Sequence, residues 1–318
     1  MPSNQSPLGA LPARFRRERV LIVGYGDIGR RIARRLLGDT SARQPIGVLA
    51  LSRDEARMPG LRMQALHPLW GDLDQPKSLR RLAGVATRVL YLAPPANLGE
   101  DDDGWKRDDR SSALLMALRR GRGPRSLVYA STSGVYGDCR GQWVDETRSP
   151  APTTARAWRR VHAEQGMRSA GRQGLQGMRV SILRIPGIYA PDREGGTPRG
   201  RLLRGTAVLQ PEDDVYTNHI HAEDLARACL KALWHGRPQR IYHASDDSQL
   251  KMGDYFDLAA DLYGLPRPPR ISREQAAADL PATLLSFMSE SRRLRNQRLK
   301  MELGLKLIYP TVEQGLRS

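Results

Sequence analysis

Residues 19–37, RVLIVGYGDIGRRIARRLL, constrain the fold of this chain more than any other stretch. Val20, Leu21, Ile22 and Val23 form an uninterrupted apolar run, β-branched at three of its four positions. Such a run suits a strand buried on both faces. Gly24, Gly26 and Gly29 follow in the spacing G-x-G-x-x-G. Ile28, Ile32, Ala33, Leu36 and Leu37 then recur at helical spacing, with arginines on the opposite face. Strand, glycine turn and amphipathic helix together predict a phosphate-binding βα unit. Gly24 permits a tight turn, Gly26 leaves no Cβ where a pyrophosphate must approach, and Gly29 lets helix and strand pack closely. The helix N-terminus offers N–H groups to the anion. Gly24, Tyr25, Gly26, Asp27, Ile28, Gly29 and Arg30 are therefore candidate cofactor-binding residues. The alternative is an ordinary βα turn that is rich in glycine.

The same alternation continues downstream. Strand-like runs lie at residues 20–23, 47–51, 88–92, 126–130 and 179–183, with a weaker one near 63–66. Helical patterns separate them at 28–37, 76–82, 107–120 and 154–169. This order predicts an α/β fold, a Rossmann-type doubly wound parallel sheet. After residue 190 the character changes. A loop, PDREGGTPRG, precedes a helix seeded at Ala222, a strand-like IYHAS, a helix over 252–263 and a final helical region over 273–303. The expected organisation is a loose basic tail over 1–18, a nucleotide-binding domain over 19–190, and a smaller α+β lobe over 191–318. Some elements of that lobe are free to interleave with the first domain.

Composition narrows the partners. No apolar run approaches the ~20 residues of a membrane span, and the polar, basic N-terminus lacks the apolar core of a secretory signal. Cys139 and Cys229 give neither metal spacing nor a disulfide framework, which fits a reducing cytoplasm. The net charge of +17 comes from 45 arginines and only 6 lysines, spread along the chain rather than clustered. That pattern reads as base composition rather than a nucleic-acid footprint. The expected partner is a small anionic molecule, with no specific nucleic acid and no membrane.

The second strand-like run ends in Ser52-Arg53. NAD sites carry a carboxylate there for the ribose 2′-hydroxyl, whereas an arginine accommodates a 2′-phosphate. Ser52 and Arg53 therefore favour NADP over NAD. In the alternative, Asp54 takes the acidic role and Arg53 is a surface residue.

Several matched places resemble the extended and atypical short-chain dehydrogenase/reductases, the superfamily of nucleotide-sugar epimerases and dehydratases. Gly71-Asp72-Leu73 is similar to the family's G-D-L after the third strand, whose acid is expected to meet the adenine amino group. Leu92-Ala93-Pro94-Pro95 resembles the end of the fourth strand, under the cofactor. The segment from Ala130 to Gly137, with Ser131, Thr132 and Tyr136, is similar to the S-S-x-x-V-Y-G that carries the catalytic Ser/Thr. Arg184-Ile185-Pro186-Gly187-Ile188-Tyr189-Ala190-Pro191 resembles R-x-x-x-x-Y-G-P, with Ala190 replacing a glycine. His219-Ile220-His221-Ala222-Glu223-Asp224 resembles the segment opening the helix of the substrate lobe. The resemblance runs from residue 20 to about 250. It implies cofactor contacts from Asp72, Leu73, Leu92, Ala93, Pro94, Ser131 and Pro186, and a homodimer paired through helices.

One part departs from the family pattern. The resemblance puts Arg156 and Arg160 where the family carries Tyr-x-x-x-Lys, and no tyrosine in this chain has a lysine four residues on. An arginine, with pKa above about 12, does not shuttle a proton at neutral pH. Arg156 suits an oxyanion, carboxylate or phosphate instead, and Arg160 suits the ribose. Thr132 is placed to hold a substrate oxygen. Tyr136, His162 and His219 are the remaining candidates for the proton, the histidines because they titrate in the useful range. Two functions follow: an NADP(H)-dependent oxidoreductase or epimerase-like enzyme acting on an anionic metabolite such as a nucleotide sugar, or a non-catalytic NADP(H)-binding sensor.

Overall fold

The computed structural model describes residues 18–38, 46–96, 105–173 and 177–318. The run at 20–23 becomes a strand whose side chains alternate between two fully buried faces. Val20 and Ile22 enter one core; Leu21 and Val23 enter the other. Seven parallel strands form this sheet: β1 (Arg19–Val23), β2 (Gly47–Ser52), β3 (His67–Trp70), β4 (Arg88–Tyr91), β5 (Ser126–Thr132), β6 (Arg179–Ile185) and β7 (Arg240–His243). Their spatial order is β7-β6-β5-β4-β1-β2-β3. The winding reverses between β1 and β4, where such sheets bind ligands outside their carboxyl ends. Register brings Val23 beside Tyr91, and Thr132 beside Ile185, at that edge.

Helices cover both faces, as a parallel sheet requires. On one side lie α1 (Asp27–Gly38) and a helix at Ala222–His235, through Ile32, Leu36, Leu225, Cys229 and Leu233. On the other lie α2 (Asp109–Arg119) and α3 (Ala155–Gln173), through Leu114, Leu118, Ala163 and Met167. The Ala222–His235 helix is α4. Asp224, fully buried in its first turn, accepts the N–H groups of Ile308 (2.9 Å) and Tyr309 (2.8 Å) and so fastens the C-terminal segment. A third core, with Tyr189, Leu202, Val208, Tyr255, Phe256 and Val312, lies around α5 (Met252–Tyr263). Two elements from beyond residue 190, α4 and β7, join the first layers of the fold, and β7 completes the sheet beside β6.

Three local expectations change. The strand near 63–66 is displaced: Met63 closes a short helix, Ala65 adopts φ 59°, and pairing begins at His67. Residues 76–82 form a 3-10 rather than an α-helix. The region 273–303 is broken into helices at Arg273–Asp279, Ala282–Met288 and Gln297–Leu303, with a strand at Arg293–Leu294 pairing Trp143–Val144. Pro281 and the paired strand interrupt the helical period. The basic tail lies outside the described residues, apart from Glu18.

Candidate active site

The glycine turn sits at the switch point. The N–H groups of Leu92 and Ala93 both donate to the Val23 carbonyl, at 2.7 and 3.1 Å, so the end of β4 lies against the start of the turn. Gly24 has φ +96°, and a Cβ there would lie 2.5 Å from Ala93 N. No side chain fits. At Gly29 a Cβ would meet the Gly24 carbonyl at 3.0 Å and Ile22 Cγ2 at 3.3 Å, the close helix–strand contact expected. Gly26 differs: no heavy atom lies within 4 Å of its Cβ position. The space a pyrophosphate needs is open, in front of the first turn of α1. There the Arg30 N–H to Gly26 carbonyl bond (2.9 Å) marks the first helical repeat. These residues fit a dinucleotide.

The neighbours of the turn are committed in part. Tyr25 donates its hydroxyl to Gln64 Oε1 (3.1 Å). The Asp27 carboxylate is held by Arg31 Nε (3.2 Å) and Arg193 Nη1 (2.8 Å), which leaves its backbone N–H to the helix terminus. Arg31, 3 % exposed, also reaches Asp192 and Glu223 at 2.6 Å. Burial works against its charge, yet the bonds to Asp192, Glu223 and Asp27 carry its pKa upward. Ile28 is partly buried against the core, and Arg30 is exposed on the first turn. At the end of β2, Arg53 is exposed, while the Asp54 carboxylate caps a 3-10 turn by accepting Ala56 N–H (3.0 Å). Asp72 accepts Asp74 N–H through Oδ1 (3.0 Å), next to the half-buried Leu73. The Pro94 carbonyl accepts from Arg110 (3.2 Å).

The end of β5 presents Thr132, whose Oγ1 accepts Gly134 N–H (3.2 Å) and caps the following 3-10 turn. Pro186 follows β6, beside the same edge. Arg156 lies on the first turn of α3. Its side chain keeps an exposed surface although protein surrounds much of it; that partial burial, then the Arg160 cation, lowers its pKa. One turn on, Arg160 Nη1 donates to the Ala130 carbonyl (2.6 Å) and the Tyr129 hydroxyl (3.2 Å). Arg160 is thus tied to β5.

Ser131 and Tyr136 belong to the interior. Ser131 Oγ donates to Glu164 Oε1 (2.6 Å), and Glu164 pairs with Arg184 (2.7 Å). Arg184 Nη1 meets the Tyr136 hydroxyl at 2.7 Å, and His243 Nε2 lies 2.6 Å from that oxygen. Ser131 and Glu164 are 4 % exposed, Arg184 2 % and Tyr136 1 %. Burial pushes the Tyr136 phenol up to about 12. The Tyr136 hydroxyl is thus engaged in the interior, between Arg184 and His243. Ser131 likewise braces the site from within. His162 Nδ1 accepts the Asp108 N–H (3.2 Å). His219, buried beside the Tyr255 ring at 4.2 Å, is pushed down to about 4 and stays neutral near pH 7. His219, sealed in this way, is not placed as the proton source.

Glu290 is the residue that the linear pattern missed. A Cβ on Gly134 would lie 3.5 Å from Thr132 Oγ1 and 3.9 Å from Glu290 Oε2, so the carboxylate stands over the turn beside Thr132. Thr153 Oγ1 donates to Glu290 Oε1 (3.1 Å), and Arg292 Nη1 to Oε2 (2.7 Å). Its only sequence signal is an acid set before Arg292, Arg293 and Arg295.

The switch-point turn, the open cradle over Gly26 and the polar end of β5 define a dinucleotide-binding α/β protein. The chain belongs to the NAD dependent epimerase/dehydratase family, whose model matches residues 20–245. No curated protein matches it in sequence. Among solved structures it is similar to a functionally unknown conserved protein from Silicibacter pomeroyi, at 30% identity and TM-score 0.74, over 94% of this chain and 96% of that one. It also shares its fold with a UDP-glucose 4-epimerase from Thermotoga maritima (18% identity, TM-score 0.74, 94% and 96% covered). A double mutant of a dTDP-glucose 4,6-dehydratase from Streptomyces venezuelae, solved with NAD, gives 20% identity, TM-score 0.73 and the same coverage. Among the described residues, no helix is long and apolar enough to cross a membrane.

Proposed function

We propose that this protein is an NADP(H)-dependent enzyme acting on a hydroxyl group of a nucleotide-linked sugar. The observation that carries the reading is the open space over Gly26, on the sheet edge that also presents Thr132. Gly24, Gly26, Gly29 and the first-turn N–H groups of α1 would hold the pyrophosphate, with Asp72, Leu73 and the segment 92–94 along the rest of the dinucleotide. The bound nicotinamide supplies the hydride donor or acceptor. Arg53 supports NADP: it stands exposed at the end of β2, while the Asp54 carboxylate is spent on its cap. Thr132 offers a hydroxyl to a substrate oxygen. Arg156 adds a cation to the cleft, and Arg160 fixes α3 against β5. The solved relatives that act on nucleotide sugars support the substrate class, which carries its negative charge on the diphosphate.

The arginines at 156 and 160 also favour a second reading, a dinucleotide sensor without turnover. One experiment separates the two. Fluorescence titration with NADPH and NADH should show tighter NADPH binding. Incubation with NADP+ and either UDP-glucose or dTDP-glucose, followed by absorbance at the reduced-nicotinamide band and mass spectrometry, should then reveal a changed sugar. Tight NADPH binding with every sugar returned unchanged would replace the enzyme by the sensor. Equal affinity for the two cofactors would remove the NADP assignment.

A further inference from the structure

We propose that Glu290 makes the cleft beside Thr132 a reader of neutral hydroxyl groups that turns carboxylates away. The inference deepens the proposed function and rests on it for the hydroxylated substrate. Glu290 comes from the far end of the chain and stands over the turn that follows the catalytic candidate Thr132. The segment carrying it is fastened there. Cys139 N–H and Gly141 N–H both donate to the Ser291 carbonyl at 3.0 Å, and Ser291 N–H donates to Asp138 Oδ1 (2.9 Å). Arg292 bonds the Gly137 carbonyl (2.8 Å) and Glu290 together. The carboxylate is thus held in place, with its side chain 12 % exposed.

The charges set the selectivity. Arg292 is paired to Glu290, and the field of Glu290 also acts on Arg156. Without Glu290, Arg292 would lose its carboxylate partner and Arg156 a nearby negative charge, which would favour a small anion beside Thr132. With it, an incoming carboxylate meets a fixed like charge, which disfavours it. An ionised carboxylate only accepts hydrogen bonds, so a sugar hydroxyl is the complementary group. Arg156 then serves the negative charge carried elsewhere on the ligand.

The test is a calorimetric titration of the full chain with citrate, a probe independent of the true substrate. Glu290→Gln keeps the shape and the Thr153 bond but removes the charge. It should bind citrate at least tenfold more tightly than the parent, whereas Arg156→Ala should bind it more weakly and Glu290→Asp should match the parent within about threefold. Equal citrate affinity in folded Glu290→Gln and parent overturns the inference. A measurement on the unmodified protein decides it if Glu290→Gln does not fold. There UDP-glucose should bind at least tenfold more tightly than UDP-glucuronate, and the reverse preference overturns the proposal. If the parent binds neither nucleotide sugar, the substrate reading fails, and the citrate comparison still decides the role of Glu290.

Discussion

At the scale of single residues, position relative to the sheet edge decides what each polar group can do. Arg53 is exposed at the end of β2; on the proposed NADP reading, Arg53→Ala should weaken NADPH by about 1.5–3 kcal/mol, the range for hydrogen bonds to charged groups, and leave NADH nearly unchanged. Paired fluorescence titrations measure both. Glu164 and Arg184 are a different case, 5 % and 2 % exposed in their side chains and joined at 2.7 Å. Removing one partner leaves a buried charge, so Glu164→Ala should cost about 3–5 kcal/mol in urea unfolding. The position of Arg53 at the end of β2 was legible in the sequence, because strand, turn and helix are neighbours along the chain. The partners of Tyr136 could not be read along the chain, because its bonds to Arg184 and His243 close only in three dimensions. Glu290 could not be placed for the same reason: it stands beside the Thr132–Gly134 turn from more than 150 residues away.

At the scale of elements, the βα turn separates space for the ligand from space for the fold. Gly26→Val should abolish binding of either dinucleotide and leave circular dichroism unchanged, because nothing in the protein occupies the site of its Cβ. Gly24→Ala should instead destabilise the chain, since its Cβ would press on Ala93 N at 2.5 Å from a φ of +96°. Thermal melts and NADPH titrations on the two variants check the contrast, and intact binding in folded Gly26→Val would put the ligand elsewhere. The central strands were legible because four apolar residues in a row can alternate only between two buried faces. The edge strand β3, HPLW, carries no such signature; a half-buried edge needs no continuous apolar run. Its position was set by pairing with β2.

At the scale of the whole molecule, three deeply buried groups contribute opposing pH dependences. Burial raises Asp246 from 3.8 to about 8, so the folded chain holds a proton that the unfolded chain releases, and stability falls as pH rises through that window. His219 and His243 run the other way. Folded values of about 4 and about 3, against 6.5, make stability rise as pH climbs to 6.5. Together they place the optimum of these groups near pH 6.5, with a loss of about 1.4 kcal/mol per pH unit above it up to the Asp246 value. Urea midpoints across that range, in the parent and in Asp246→Asn, check this; the variant should lose the alkaline decline. The placement of β7 beside β6 has a consequence for how the protein is made. During synthesis the residues up to 190 emerge with six strands, with β6 left as an open edge besides β3, and with the core face under Ile22 and Val128 still lacking α4. That intermediate can neither shed its bare edge nor bury its oily side until residues 222–243 leave the ribosome. A fragment ending at residue 190 should therefore show no cooperative melt and should aggregate, whereas one ending after the C-terminal segment held by Asp224 should not.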